Sequence, residues 1–357
     1  MRALQVLAGP RAQAHLRERG LAPADVRAVP AAAGGPKGLT LIPLDRFLFG
    51  HWLQGSTQTL HLLGASIGAW RMACACLPDA DAALAELGED YVTQTYPHEP
   101  GQMPTPRVIS QVFGERLQQR LGARAHEVLA HPQRRLHVFT SRGRHLLHRA
   151  GRARAVAGYL GAYLANAINR RALGGWLERV VFSDPRDPLP LPLHDFRTRR
   201  AVLDAYNLTS SVLASCAIPF ALEPVQDPPG APRGTYWDGG ITDYHLHLDY
   251  AAMPQGLALY PHFHDRVVPG WLDKTWTRRH GSTAFLENLV LLAPRPEWIA
   301  SLPNGKLPDR GDFKAYGDDI AARQRDWRRA LAESQRLADE FAERVHCGRP
   351  FDADPLP

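Results

Sequence analysis

Residues 58–77 read QTLHLLGASIGAWRMACACL, and this stretch decides the fold of the chain. The apolar run at 60–63 predicts a buried strand, and the small and apolar residues at 69–77 predict a helix. The sequence GASIG lies between these two elements and must form the turn that joins them. Ser66 is at the centre of that turn, where the strand ends and the helix begins.

This turn has the G-x-S-x-G pattern that is typical of a nucleophile elbow. The backbone is bent sharply in such a turn, so a side chain at Gly64 or Gly68 would collide with the neighbouring strand or helix. The free N–H groups of the first helical turn favour negative charge near Ser66. Ser66 is therefore a nucleophile by this interpretation. The alternative is that it only caps the helix, as serine often does.

The composition is that of a globular protein. The chain has 357 residues, of which 45% are apolar, and no biased tract, so it is long enough to bury a large core. The stretch at 58–77 contains His61, Arg71 and a turn, and is therefore a poor transmembrane segment. The apolar run at residues 1–10 is too short for a signal peptide, and we expect a cytoplasmic protein.

Cysteine usage and charge give weaker information. Cys74, Cys76, Cys216 and Cys347 form no C-x-x-C pair, and we interpret them as reduced core residues. The net charge is +6 and comes from scattered arginine clusters, among them the one at 142–154. Such clusters usually solvate a face, but they also allow peripheral contact with an anionic membrane surface. We find no nucleic-acid motif and expect no nucleic-acid partner.

The first 77 residues predict a parallel α/β sheet. A helix is expected over 1–24, a strand over 26–33, a glycine turn at 34–38 and a helix over 39–53, followed by the strand, elbow and helix of 58–77. Right-handed crossovers place both turns at the carboxyl edge of neighbouring strands. Open α/β folds have their functional sites at this edge.

The glycine turn suits an anion. Backbone N–H groups of Gly34 and Gly35 can point at one place, and the following helix adds free N–H groups of its own. Pro36 has no N–H and only stiffens the turn, while Lys37 either balances charge or lies along the surface. The G-x-x-x-x-G-K-[ST] spacing of a phosphate-binding loop is missing. A plain tight turn is the alternative.

The rest of the chain continues the alternation of helices and strands. Helices are expected over 81–130 with a loop at 97–106, over 153–173, over 207–218 and over 315–345. Strands are expected at 137–140, 177–182, 236–237, 256–260 and 289–292, with a basic turn at 141–144. We predict one domain over 1–357, with a core at about 26–295, the N-terminal helix 1–24 and a C-terminal helical extension at about 296–357.

A second candidate site follows the strand at 236–237. Asp238 stands at the end of this strand, and Gly239 and Gly240 turn the chain away. An aspartate followed by two glycines is more often a turn than a catalytic group. The order of the other motifs in the chain changes that interpretation.

Four blocks in order resemble the patatin-like phospholipases. They are the glycine turn at 34–38, the elbow at 64–68, the segment ASCAIPFALEPV at 214–225 and the DGG turn at 238–240. Four ordered blocks are more specific than any one of them. The resemblance implies a three-layer α/β/α sandwich with a mostly parallel central sheet. It also implies hydrolysis of lipid acyl esters by a Ser-Asp dyad, with no metal and no cofactor.

Carried over residue by residue, the resemblance makes Ser66 the nucleophile and Asp238 the base. It assigns the oxyanion hole to the turn that holds Gly34, Gly35, Lys37 and Gly38. The chain departs from the family pattern at Ala33, where a third glycine is common, and at Pro36. Aspartate has an ordinary pKa near 3.9, so it would need partial desolvation to act as a base at neutral pH.

Histidines offer two alternatives. His245 or His247 could serve as the base of a Ser-His-Asp triad, with Asp249 or Asp204 as its partner. Their spacing also suits polar positions on one face of a strand. The same run together with His262, His264 and Asp265 could ligate a metal, but no third ligand stands at a defined spacing.

The sequence therefore predicts a serine acyl hydrolase that cleaves lipid carboxyl esters through an acyl-enzyme. The alternatives are a short-chain or polyester esterase on the same scaffold and a non-catalytic lipid-binding protein. Trp271, Trp276 and Trp298 could cover the substrate entrance or rest on a membrane surface. Packing in the core would explain these three residues equally well.

Overall fold

The computed structural model describes residues 1–99, 101–346 and 348–357. Its strands are β1 (Leu4–Ala8), β2 (Val26–Ala31), β3 (Leu60–Ala65), β4 (Arg134–Gly143), β5 (Leu177–Ser183), β6 (Thr198–Val202), β7 (Val225–Gln226), β8 (Thr235–Trp237), β9 (Leu257–Pro261), β10 (Leu289–Pro294) and β11 (Asp354–Pro355). They form one sheet, in which the order β11-β1-β10-β9-β2-β3-β4-β5-β6 is completed by β8 beside β4 and β7 beside β8. The five neighbouring strands in the middle of this order, β10, β9, β2, β3 and β4, are all parallel to one another.

Helices flank this sheet and give the three-layer α/β/α sandwich that the sequence predicts. They are α1 (Pro10–Arg19), α2 (Ile42–Gly50), α3 (Ile67–Ala75), α4 (Ala80–Thr93), α5 (Pro106–Leu117), α6 (Ala125–Ala130), α7 (Arg152–Ile168), α8 (Leu208–Ser215), α9 (Gly240–Asp243), α10 (Pro296–Ala300), α11 (Gly311–Tyr316), α12 (Ile320–Glu333) and α13 (Gln335–Val345). Every residue of β3 and β10 is buried, as expected for strands covered on both faces. The described residues contain no helix long and apolar enough to cross a membrane.

The predicted N-terminal helix over 1–24 is wrong in its first third. Leu4–Ala8 is the strand β1, which pairs antiparallel with β10 and parallel with β11. Only Pro10–Arg19 is helical. Four of the five residues of β1 are buried, and such a short apolar run fits a strand or a buried helix equally well. This segment is a strand because it pairs with β10, which comes from the far end of the chain.

One prediction in a basic segment is also wrong. The basic turn at 141–144 is largely strand, because β4 continues to Gly143 and pairs there with both β5 and β8. The arginine-rich segment at 197–200, for which the sequence predicts no element, contributes to a strand, β6, which pairs with β5 at the edge of the sheet. Charged side chains are common on edge strands, where they hinder pairing with another chain. Helical or strand periodicity is weak in both segments.

Most of the other predicted elements are present with shifted ends. The strands β5, β9 and β10 and the helix α8 agree with the prediction to within a few residues, and α4, α5 and α6 occupy the segment predicted as helical. The helix predicted over 153–173 ends at Ile168 and is followed by a 3-10 helix at Arg170–Gly175. The single helix predicted over 315–345 is wrong, since Gly317 and Ser334 separate α11, α12 and α13.

The predicted C-terminal extension packs against the core. Helix α13 contacts α2, α12 contacts α4, and β11 pairs with β1. Both carboxylate oxygens of Glu340 accept hydrogen bonds from the N–H groups of Ala3 and Leu4. Cys74, Cys76 and Cys216 are buried and free, as predicted, whereas Cys347 lies outside the described residues. The N-terminal and C-terminal segments therefore contact each other at one edge of the sheet.

Two buried ion pairs fix the segments that carry the predicted site residues. Arg71 on α3 binds Asp45 on α2 through two hydrogen bonds of 2.6 and 2.8 Å. Arg179 on β5 binds Asp243 at the end of α9. All four side chains are essentially inaccessible to solvent. Removing one partner of such a pair typically costs about 3–5 kcal/mol, because it leaves an uncompensated buried charge. The elbow, the glycine turn and the DGG turn are thus held to the scaffold.

Candidate active site

The elbow predicted at 64–68 is present. β3 ends at Ala65, α3 begins at Ile67, and Ser66 between them has φ 56° and ψ −130°. A positive φ is unusual for a residue other than glycine, and such strained conformations occur often at functional sites. A Cβ on Gly64 would lie 2.3 Å from the Cα of Ala69, and a Cβ on Gly68 would lie 2.0 Å from the carbonyl oxygen of Ala31. Both positions therefore require glycine.

The structure brings Ser66 and Asp238 together. The Oγ of Ser66 donates a hydrogen bond of 2.6 Å to Oδ2 of Asp238, although the two residues are 172 positions apart in the chain. Asp238 follows the last residue of β8. Its other carboxylate oxygen accepts a 2.7 Å hydrogen bond from the N–H of Gly240. The carboxylate is therefore oriented by one backbone donor while it faces the serine hydroxyl.

Burial makes Asp238 a stronger base than an ordinary aspartate. Desolvation raises the pKa of its carboxyl above 3.8, against the opposing effects of the Ser66 hydrogen bond and the Arg310 charge. Desolvation of this kind disfavours the charged form of a carboxyl group. A raised pKa brings a general base closer to the pH at which it works. This is the partial desolvation that the sequence argument required.

The DGG turn packs closely against β4 and against the residues that follow β2. A Cβ on Gly239 would lie 2.0 Å from the carbonyl oxygen of Phe139, and a Cβ on Gly240 would lie 2.5 Å from the Cβ of Ala33. Ser215, at the end of α8, accepts a hydrogen bond from the Ser66 N–H and donates one to the Phe139 carbonyl. Sequence reasoning quoted Ser215 in a motif but did not predict this role, for which no local pattern exists.

The glycine turn lies beside the dyad. The N–H groups of Gly34 and Gly35 donate no hydrogen bond within the described residues. Gly35 begins a 3-10 helix that runs to Leu41, and the i to i+3 bonds of such a helix use the N–H groups from Lys37 onward. Gly34 and Gly35 are therefore better placed as oxyanion donors than Lys37 and Gly38. The role of all four residues stays a prediction.

An apolar cavity of about 250 Å³ opens at Ser66. It is lined by side chains from α5 and the segment before it, from the segment after α8 and from the C-terminal helices, including Ile109, Phe113, Leu222, Phe313 and Ile320. Cys216 also lines this cavity, and burial raises the pKa of its thiol well above 9.0. Cys216 is therefore an uncharged thiol at neutral pH, and Ser66 is the better nucleophile of the two.

A second cavity, of about 380 Å³, opens at Asp238 and is named here the cationic cavity. Gly34, Tyr244 and Trp271 form part of its wall, and Lys37, Lys274 and Arg310 bring positive charge to it. Ile218 and Arg310 belong to the linings of both cavities. The dyad thus lies at the junction of the two cavities, with Ser66 in the lining of the apolar cavity and Asp238 in the lining of the cationic cavity. Sequence reasoning missed Lys274 and Arg310, which lie in irregular segments without a motif.

The predicted Ser-His-Asp alternative has no geometric support. Nδ1 of His245 accepts a hydrogen bond from the N–H of Val268, and Nε2 of His247 contacts the hydroxyl of Thr283. Asp249 and Asp204, the two proposed partners, accept hydrogen bonds from backbone N–H groups close to them in sequence. Ser66 instead bonds to Asp238 directly.

The histidines predicted as possible metal ligands lie near one another, and the ring centroids of His245 and His262 are 4.3 Å apart. His262 accepts a hydrogen bond from the N–H of His264, and His264 pairs with Asp265. Within the described residues no group of three or more His, Cys, Asp and Glu side chains is arranged to hold a metal ion. Of the three tryptophans, Trp298 is fully buried in the core, Trp276 stacks on Tyr163, and only Trp271 lines the cationic cavity.

Comparisons with known proteins do not identify a family. A scan against protein-family models matches none of them, and a search of the curated proteins finds no match. The patatin-like resemblance therefore stays a prediction that depends on four ordered motifs. The distances above are independent of that resemblance, because they follow from the arrangement of this chain alone.

Proposed function

We propose that the protein is a serine acyl hydrolase that cleaves carboxyl esters of lipids. The observation that carries the proposal is the 2.6 Å hydrogen bond from Ser66 Oγ to the buried carboxylate of Asp238, at the mouth of an apolar cavity. A serine hydroxyl is a poor nucleophile until a neighbouring group accepts its proton. A buried carboxylate with a raised pKa is suited to that task.

In the proposed reaction, Ser66 Oγ forms a bond to the ester carbonyl carbon while its proton passes to Oδ2 of Asp238. The carbonyl oxygen becomes an oxyanion and accepts hydrogen bonds from the N–H groups of Gly34 and Gly35. Collapse of this intermediate breaks the ester bond, and Asp238 returns the proton to the departing alcohol. Water then attacks the acyl-enzyme, Asp238 accepts its proton, and the carboxylic acid leaves as Ser66 regains a proton.

The lipid character of the substrate is supported by the apolar cavity beside Ser66. Its lining is mainly aliphatic and aromatic, and burying apolar surface contributes roughly 25 cal/mol per Å². An acyl chain in this cavity would place the ester carbonyl beside Ser66 and the alcohol portion toward Asp238. A short-chain ester could react at the same dyad but would leave much of the cavity unfilled. We place this reaction in the cytoplasm, as the sequence predicts.

Mutation of the dyad tests the proposal. Ser66→Ala should abolish hydrolysis of p-nitrophenyl esters and of phospholipid vesicles. Ser210→Ala is the matched control, because Ser210 lies on α8 outside both cavity linings and its hydroxyl donates a hydrogen bond to the carbonyl of Asn207. Wild-type activity in Ser66→Ala would contradict the proposal. Activity confined to short p-nitrophenyl esters would favour the esterase alternative, and binding of lipid without any turnover would favour the non-catalytic one.

A further inference from the structure

The cationic cavity has no role in the proposed reaction other than to receive the alcohol portion of the ester. Lys37, Lys274 and Arg310 reach it from three separate segments: the glycine turn, the loop after β9 and the segment before α11. None of the three forms an ion pair with a carboxylate in the part of the chain that the structure describes. Three cations close together repel each other, so their convergence without a protein partner favours an anionic ligand.

The two carboxylates in the same cavity, Asp238 and Asp309, offset the charge of these three cations only in part, because each carboxylate is hydrogen-bonded or paired elsewhere. Asp309 is held by Lys306 at 2.9 Å, and Asp238 bonds to Ser66 and Gly240. The ammonium group of Lys274 lies 4.0 Å from the ring centroid of Tyr244, which is a cation–π contact. This contact holds Lys274 at the cavity wall while its charge is free to meet a ligand.

We propose that the cationic cavity binds a phosphate group on the alcohol portion of the ester, so that the preferred substrate is an acyl ester of a phosphate monoester such as lysophosphatidic acid. This inference rests on the proposed acyl hydrolysis. The acyl chain occupies the apolar cavity, the carbonyl lies at the dyad, and the phosphate meets Lys37, Lys274 and Arg310. Phosphate oxygens accept strong charge-assisted hydrogen bonds from lysine and arginine.

The first test is the ratio of kcat/KM for lysophosphatidic acid to kcat/KM for lysophosphatidylcholine. The ratio should exceed one in the wild type. It should fall about threefold in Lys274→Met and in Arg310→Met, because exposed charge pairs contribute modestly, and about tenfold in the half-buried Lys37→Met. Lys314→Met is the matched control, since Lys314 is on α11 outside both linings. A ratio of one, or a ratio unchanged in all three variants, would overturn the inference while leaving the hydrolase proposal intact.

The second test does not depend on turnover. Titration calorimetry with Ser66→Ala should show tighter binding of lysophosphatidic acid than of monoacylglycerol, and Lys37→Met in the same background should remove the difference. Inorganic phosphate should displace the lipid only at much higher concentration. Displacement by inorganic phosphate at the concentration of the lipid would overturn the assignment to a lipid head group. Equal binding of the two lipids would overturn the phosphate site itself.

A second inference comes from the outer face of α7. Val156, Leu160, Leu164 and Ile168 recur every fourth residue and are 54%, 58%, 56% and 86% exposed. The opposite face of α7, with Ala155, Tyr159 and Ala162, packs against a separate buried cluster. A helix that is apolar on both faces is usually buried or at a membrane. We name these four exposed residues the apolar stripe.

Arginines stand at both ends of the apolar stripe. Arg149, Arg152 and Arg154 precede it, Arg171 follows it, and no charged residue lies between Arg154 and Ile168. All four arginines are exposed, and they form no ion pair among the described residues. Arg152 and Arg154 lie in the first turn of α7, where positive charge opposes the helix dipole, so these two arginines do not stabilise the helix through its dipole. They complement a negatively charged surface.

Helix α7 is also close to the candidate active site. Tyr159, on the buried face of α7, packs edge-on against Trp237 and Phe220. Trp237 precedes Asp238, and Phe220 is 49% exposed two residues after Ile218, which lines both cavities. We infer that the apolar stripe lies flat in the interface of an anionic lipid bilayer, with its arginines at the head groups. Interfacial helices with an apolar face and basic flanks bind membranes in this way.

Vesicle sedimentation tests this second inference. The wild type should bind vesicles that contain phosphatidylglycerol more than vesicles of phosphatidylcholine alone, and added salt should weaken binding. Leu164→Gln with Ile168→Gln, and separately Arg152→Glu with Arg154→Glu, should each reduce binding about tenfold. Val202→Gln is the matched control, because Val202 is 57% exposed on the edge strand β6. Unchanged vesicle binding in both double variants would overturn the inference, as would a dimer that the apolar-stripe variant dissociates.

Discussion

The two cavities beside the dyad differ in chemistry and in origin. The apolar cavity at Ser66 is lined by long apolar side chains from helices and their loops, whereas the cationic cavity at Asp238 collects charges from three irregular segments. The hydroxyl and the carboxylate meet at the junction. This asymmetry gives a substrate an orientation, with the acyl chain on one side of the reacting carbonyl and the alcohol portion on the other.

The largest expected effect is at the junction itself. Asp238→Asn should lower kcat for every ester by about 10² to 10⁴-fold, which is the usual contribution of a general base. The amide keeps the size of the side chain but accepts a proton poorly. Circular dichroism should show an unchanged fold. An equal loss of kcat on substrates with and without a phosphate group would show that the defect is at the dyad. An unchanged kcat would show that Asp238 is not the general base.

A second test concerns the glycine turn between the cavities. Gly34 has φ 177°, which alanine also adopts, but its Cβ would lie 2.4 Å from the ring of Phe263. Gly34→Ala should therefore shift the proposed oxyanion donors and lower kcat about 10² to 10³-fold. Gly175→Ala is the control, because a Cβ at Gly175 would meet no atom within 4 Å among the described residues beyond its two chain neighbours. Steady-state kinetics that show only a raised KM would argue against this role.

A change in the apolar cavity should act on chain length. Ile109→Gln should raise KM for long-chain p-nitrophenyl esters about tenfold, since burial of such a side chain is worth about 1.5–3 kcal/mol, and should change KM for the acetate ester little. Ile299→Gln, at a similarly half-buried position on α10 outside both linings, is the control. A uniform effect on all chain lengths would mean that acyl chains do not enter this cavity.

The smallest expected effect is a shift of the pH profile. The carboxyl of Asp238 is inactive as a base when it is protonated, so kcat/KM should rise with pH as this group ionises. Because burial raises the pKa of Asp238 above 3.8, this acid limb should lie above pH 3.8. The Arg310 charge lowers the pKa of Asp238. Arg310→Met should therefore move this acid limb to higher pH, as a profile of kcat/KM would show. Movement to lower pH would contradict the electrostatic account.

The sequence predicted the central part of this arrangement because local patterns determine it. The spacing of Gly64, Ser66 and Gly68 requires a sharp turn, and the apolar runs on either side give its strand and helix. The strand β1 was missed because its partner β10 is supplied by the far end of the chain. β6 was missed because an exposed edge strand rich in arginine carries little hydrophobic periodicity.

The cationic cavity could not be predicted from spacing. Lys274 and Arg310 lie in irregular segments, and each looks like an ordinary surface charge in the sequence. Their convergence depends on how the loop after β9 and the C-terminal extension pack over the sheet. Ser215 is similar, since its bridge between Ser66 and Phe139 depends on the place where α8 ends. Long-range packing therefore determines what surrounds the dyad.

Covalent labelling of Ser66 by a fluorophosphonate tests the central claim most directly. The account predicts that mass spectrometry finds the label on Ser66 in the wild type and in Asp249→Asn at equal rates. Asp249 only caps a 3-10 turn, whereas Asp238→Asn should slow labelling at least about 10²-fold. No label on Ser66 in the folded wild-type protein, or equal labelling rates in Asp238→Asn and the wild type, would contradict the account.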